Sequence, residues 1–183
     1  MSAVTRDNTI DINYFFITGA AVLLTWELHE FAHWPAGTML GYDMVMTLNT
    51  GYSLSAVKDW HSQLISAAGP IVTLLEATFV FLIMRRYDLK LLYSFLFTCL
   101  YCRFFATLIS VRKLNDEARI SKFLGIGTFT LPLIMSAILF FLVYKISRQY
   151  YFDKKFNLIN LGLVILFSSI IILTDQFFRL RLL

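Results

Sequence analysis

One apolar segment of the chain, from about residue 14 to residue 39, carries several ionisable side chains in its C-terminal half. They are Glu27, His29, Glu30 and His33. The segment is longer than the roughly 20 residues that a helix needs to cross a bilayer. Ionisable groups at membrane depth are costly, and they usually face the interior of a helix bundle or a water-filled cavity. We therefore expect a membrane-spanning helix whose polar residues form a functional site.

The two histidines of this segment lie four residues apart, in the pattern His29-Glu30-Phe31-Ala32-His33. On a helix, residues at this spacing lie one turn apart on the same face, so both imidazoles can bind one metal ion while Glu30 flanks it. The chain has three histidines in all, and scattered histidines would rarely fall at this spacing. The alternative is a polar network between helices that holds no metal.

The composition predicts an integral membrane protein. Hydrophobic residues make up 58% of the chain and charged residues 15%, whereas a soluble domain has about 25% charged residues. We expect an all-α membrane protein, a single domain over residues 1–183 with about five transmembrane helices. The predicted spans are residues 14–39, 62–84, 89–111, 126–146 and 158–178. The basic residues cluster at the ends of these spans rather than in a stripe with aromatics, so nucleic-acid binding is not indicated.

Residues 43–57, between the first two spans, have a different pattern. Apolar and polar side chains alternate on both sides of the turn-forming sequence Asn49-Thr50-Gly51, which predicts a β-hairpin or a pair of short strands. An exposed edge of such a hairpin could hold an extended peptide by strand addition. An amphipathic connector on the membrane surface is the alternative.

Three features of the second and third spans bear on a site. The second span begins with the small residues of Ala67-Ala68-Gly69-Pro70, which would let it approach the histidine helix closely. Glu76 lies alone within the second span, and we expect it to pair with Arg103 of the third span; the alternative is a polar residue of a cavity. His61, just before the second span, is expected to be an interfacial side chain rather than a ligand.

A hydrophilic run, residues 112–119, follows the third span. Such a run is usually a solvated loop, but it holds the carboxylates Asp116 and Glu117, either of which could supply a third metal ligand. With five spans, the first and third end on the same side of the membrane, so Asp116 can meet His29 and His33. Neighbouring helical residues point about 100° apart, so only one of the two carboxylates should bind.

Together, the His29–His33 motif, the small residues Ala68-Gly69-Pro70, the strand-like insert and the later aspartate resemble the site-2 protease family of intramembrane zinc metalloproteases. The resemblance implies one Zn²⁺ ion per chain, bound by His29, His33 and Asp116, with Glu30 as the catalytic base that activates a zinc-bound water. It also implies a multi-pass protein of a prokaryotic cytoplasmic membrane, with the active site toward the cytosol. The family's aspartate usually precedes a glycine, whereas Glu117 follows Asp116 here and remains the rival ligand, as in CAAX-type proteases.

The expected function is hydrolysis of a peptide bond in a membrane-spanning or membrane-anchored substrate. The expected partners are this protein or peptide substrate and the lipid bilayer, and any regulation would come from a membrane partner, since the chain has no room for a regulatory domain. The alternative is a membrane protein with a zinc site but no hydrolytic activity, acting as a binding or chaperone partner. Peptidase activity of the metal-bound protein toward co-expressed membrane partners distinguishes the two.

Overall fold

A computed structural model describes residues 8–178 and 180–183, so residues 1–7 and 179 of the predicted single domain lie outside the described part of the chain. The protein is mostly helical, at 74%. Within the described residues the elements are α1 (Ile12–Met39), β1 (Met44–Met46), β2 (Gly51–Ser53), α2 (Asp59–Arg86), a 3-10 turn (Lys90–Leu92), α3 (Tyr93–Ile109), α4 (Asp116–Phe123), α5 (Thr130–Gln149) and α6 (Lys154–Phe178).

All five predicted spans are helical over most of their length. Among residues 8–178 and 180–183, four helical stretches are long and apolar enough to cross a membrane, namely α2, α3 with its preceding turn, α5 and α6. This is consistent with a membrane protein. The first predicted span, α1, has 28 residues but is not among these four, because the ionisable residues of its C-terminal half dilute its apolar character.

The beginning of α1 is set by a side-chain cap, and its end lies beyond a proline. The Asp11 carboxylate accepts a hydrogen bond of 2.8 Å from the backbone N–H of Tyr14, which is a typical N-cap contact. The helix continues through Pro35 to Met39. The residues of the histidine motif therefore lie well inside one continuous helix.

The hydrophilic run after α3 is only partly a loop, because α4 begins within it at Asp116. The Asn115 side chain caps α4 by accepting a hydrogen bond of 2.8 Å from the backbone N–H of Ala118. Asp116 and Glu117 occupy the first turn, where the helix dipole favours negative charge. The cap thus fixes where both candidate carboxylates lie.

The predicted β-hairpin is confirmed, with β1 and β2 antiparallel and Val45 opposite Tyr52. The outer edge of β1 is covered by the end of the described chain. Leu182 donates a backbone hydrogen bond of 2.8 Å to the Met46 carbonyl, and Met46 donates one of 3.1 Å to the Leu183 carbonyl. The β2 edge is therefore the one that remains for an added strand.

A cluster of stacked aromatic rings fills the core near the start of α1. We call Tyr14, Tyr93, Phe152 and Phe156 the aromatic core. The rings of Phe152 and Phe156 stack with centroids 4.2 Å apart, and Tyr14 meets Phe156 edge-on at 5.3 Å. Because this core joins the N-terminal ends of α1, α3 and α6, it fixes α1 in the bundle at the end opposite to the histidines.

Candidate metal centre

The imidazoles of His29 and His33 lie on one buried face of α1, as the helical spacing predicts. Their Nε2 atoms are 3.4 Å apart, and both side chains are buried. The start of α4 brings Asp116 to the same point. Its Oδ2 atom lies 3.3 Å from Nε2 of His29 and 3.5 Å from Nε2 of His33. The ligand atoms of these three residues, here called the His–Asp cluster, lie within 4.8 Å of one another and could hold a metal ion.

The Nδ1 atom of each imidazole is hydrogen-bonded to a residue of α2, and these hydrogen bonds determine the tautomer. Nδ1 of His33 lies 2.7 Å from the Ile65 carbonyl, which can only accept a hydrogen bond. Nδ1 of His29 lies 3.0 Å from the Thr73 hydroxyl, and that hydroxyl donates its own hydrogen to the Gly69 carbonyl. Both Nδ1 atoms are therefore donors, and in neutral imidazoles both Nε2 atoms turn a lone pair toward Asp116.

This arrangement fits a cation at the centre of the cluster. Two nitrogen lone pairs and a carboxylate oxygen converge, and three acceptors repel one another unless a cation or protons lie among them. Metal-bound histidines typically donate their other N–H to a carbonyl or similar acceptor, as His33 does to Ile65. Two histidines and one carboxylate, with a fourth position open, are also a donor set that catalytic zinc uses.

Asp116 faces the two imidazoles as a buried carboxylate. Burial raises its pKa, but hydrogen bonds from the imidazoles, in the state in which their Nε2 atoms carry protons, outweigh burial and hold the pKa well below its usual range. Its other oxygen, Oδ1, accepts a short hydrogen bond from Nη2 of Arg119 one turn along α4. One carboxylate oxygen is therefore left to face the two imidazoles.

Glu117, the rival carboxylate, points elsewhere. Its Oε1 atom lies 3.4 Å from Nη1 of Arg103, and both side chains are buried. The predicted pairing of Arg103 with Glu76 is therefore wrong. Glu76 instead accepts a hydrogen bond of 2.6 Å from the Thr25 hydroxyl of α1. The face that each apolar helix turns inward decides these pairings, and hydropathy alone does not give that face.

The close approach of α2 to the cluster depends on Gly69. A Cβ atom at this position would lie 2.4 Å from Cε1 of His29 and 2.5 Å from Nε2 of His33. Both distances are far below van der Waals contact. The small residues at the start of the second predicted span thus let the backbone of α2 pass directly beside the imidazoles.

Glu30 lies beside the cluster and contacts the hairpin. A Cβ atom added at Gly51 in β2 would lie 3.7 Å from the Oε2 atom of Glu30. Both residues line a cavity of about 830 Å³ that also reaches His29, His33 and Asp116. The cavity places a carboxylate, the His–Asp cluster and a β-strand edge in one space.

Three further side chains, those of His61, Cys99 and Cys102, are not part of the His–Asp cluster, although Cys102 lines the same cavity. Nδ1 of His61 lies 2.8 Å from the Tyr42 hydroxyl. Cys99 and Cys102 are buried free thiols. Thr73 and Arg119, which contact His29 and Asp116, were not predicted from the sequence. The spacing of Gly69 and Thr73, four residues apart on one face of α2, is the signal that could have indicated Thr73.

Comparison with known proteins adds no further assignment. No protein-family model, no curated protein and no solved structure matches the chain. The resemblance to the site-2 protease family thus stays a prediction that depends on the motif residues, and the function must be argued from the site.

Proposed function

We propose that the chain is an intramembrane zinc metalloprotease that hydrolyses a peptide bond of a membrane-spanning or membrane-anchored substrate. The observation that carries the proposal is the convergence of His29, His33 and Asp116 in a cavity that also contains the Glu30 carboxylate. Three protein ligands would leave a position for water, and a carboxylate beside it is the base such hydrolysis needs.

The residues of the chain have distinct roles in this reaction. His29, His33 and Asp116 would hold the zinc ion, which when bound supplies a Lewis acid that polarises a carbonyl and lowers the pKa of water. Glu30 would take a proton from the attacking water and deliver it to the leaving amine as the C–N bond breaks. The products are a carboxylic acid and an amine.

The β2 strand offers a place for the substrate backbone. A helical substrate has its carbonyls hydrogen-bonded within the helix, so the reacting segment must unwind before attack. The backbone N–H of Leu54 donates a hydrogen bond to the Asp43 carbonyl. In an antiparallel pair, hydrogen-bonded and non-hydrogen-bonded residues alternate along the strand, so the N–H and C=O groups of Gly51 and Ser53 point away from β1. Since β2 lines the cavity, an unwound segment could add to its edge and reach Glu30.

The test compares three forms of the purified protein in proteoliposomes that contain a set of labelled single-span peptides. The wild type is expected to bind about one zinc and to cleave at least one peptide. Glu30→Gln is expected to keep its zinc and to lose at least about 100-fold in rate, the contribution typical of a general base. Glu27→Gln removes a carboxylate one turn away in α1 and is the matched control, with zinc and cleavage retained.

Two results would overturn the proposal. If the wild-type protein binds no zinc, the proposed metal centre does not exist. A wild-type protein that binds zinc but cleaves none of the peptides favours the non-hydrolytic alternative, in which the same site serves binding of a membrane partner.

A further inference from the structure

Arg103 is the one charged residue of α3, and it is buried beside the His–Asp cluster. Its Nη1 atom lies 3.4 Å from Oε1 of Glu117 and 3.9 Å from Oδ2 of Asp116. The guanidinium therefore touches both of the first two residues of α4. It lines the same cavity as the two imidazoles.

A buried ion pair of this kind adds little to the free energy of folding. Removing two charges from water costs about as much as their attraction returns, and apolar side chains of similar volume often stabilise equally well. Placing Arg103 and Glu117 in the interior is better explained by the geometry that the pair imposes. Arg103 reaches α4 from α3, whereas Arg119 contacts Asp116 from within α4 itself.

We propose that Arg103 and Glu117 are positioning residues that lock the start of α4 against α3, so that Oδ2 of Asp116 faces the two imidazoles. The inference rests on the proposed zinc centre. In this arrangement Glu117 is no rival ligand, because its carboxylate holds the guanidinium. Side chains of successive helical residues point about 100° apart, so one can face the cluster while the next faces α3.

The experiment measures zinc affinity by competition with a chelator, on the full chain in detergent, together with thermal unfolding of the metal-free protein. The principal variant is Arg103→Met/Glu117→Leu, which removes both charges and keeps the apolar bulk. We expect it to unfold near the wild-type temperature but to bind zinc about 10- to 100-fold more weakly, the range found when partners of metal ligands are removed. Arg86→Gln is the matched control, since Arg86 is an exposed arginine at the far end of α2, and its zinc affinity should equal that of the wild type.

A second variant keeps the test decisive if the double variant does not fold. Arg103→Lys retains the charge but loses the planar fork that can contact two carboxylates, and we expect zinc affinity about 10-fold below wild type, at the lower end of that range. Wild-type zinc affinity in a folded double variant, or in Arg103→Lys, would overturn the positioning role. Absence of zinc from the wild type would instead overturn the proposed function.

Discussion

The two ends of α1 bury polar groups in different ways. At its start, Tyr14 donates a hydrogen bond of 2.9 Å to Asn160 in α6, and Thr18 lies 2.8 Å from the Ser94 hydroxyl in α3. These groups are neutral at ordinary pH. About 22 Å further along the helix, at 1.5 Å per residue, the buried groups are the ionisable His29 and its cluster partners.

The difference distinguishes an end that packing explains from an end that is a candidate functional site. A neutral polar group costs little to bury once it is hydrogen-bonded, whereas a buried charge costs far more. Titratable groups gathered in a cavity are therefore candidates for function. The aromatic core can be explained by packing alone. The His–Asp cluster cannot, because its three acceptor atoms repel one another unless a cation or protons lie between them.

Replacing a proposed ligand should have the largest effect, and it should be confined to the metal. In Asp116→Ala we expect zinc binding to weaken on the order of 1000-fold, which is about 4 kcal/mol at 1.4 kcal/mol per tenfold change. The measurement is the zinc content and chelator competition of the purified protein. The comparison variant is Glu117→Ala, which should lose less affinity. A larger loss in Glu117→Ala than in Asp116→Ala would show that Glu117 is the ligand.

Truncating the aromatic core should have the opposite profile. Phe156 is fully buried and stacks on Phe152, so Phe156→Ala is expected to lower the free energy of unfolding by about 3 kcal/mol, as for other large-to-small core changes. Thermal unfolding in detergent measures this loss. Zinc affinity of the folded fraction should match the wild type. A drop in zinc affinity as large as the ligand variant's would mean that the two ends of α1 are not independent.

Much of the fold could be predicted because it depends on local patterns. Apolar runs of bilayer length gave the long helices, and the turn residues Asn49-Thr50-Gly51 gave the hairpin. The placement of His29 and His33 on one face could be predicted because it depends only on the helical repeat over five consecutive residues. Asp116 lies more than eighty residues further along, and only the side on which each span ends indicated that it could reach the histidines.

The remaining contacts depend on how each helix is rotated. Arg103 was predicted to pair with Glu76 but pairs with Glu117, because α3 is apolar on nearly all sides and its sequence does not show which side faces which carboxylate. The same holds for the pairing of Leu182 and Leu183 with β1, because their short apolar sequence has no distinctive period. Such contacts follow from the packing of the whole bundle, which one sequence pattern does not specify.

The smallest effects that we predict come from adding a single methyl group, either at Gly69 beside the His–Asp cluster or at Gly162 in α6. Gly69→Ala places a Cβ beside both imidazoles, so the rings must move and zinc affinity should fall about 10-fold, or 1.4 kcal/mol. Gly162 is the matched control: it lies within α6, and a Cβ there would meet nothing within 4 Å. Gly162→Ala should raise stability by about 0.5–1 kcal/mol, as alanine does in a helix interior. Chelator competition and thermal unfolding measure the two outcomes, and unchanged zinc affinity in Gly69→Ala would contradict the close approach of α2 to the cluster.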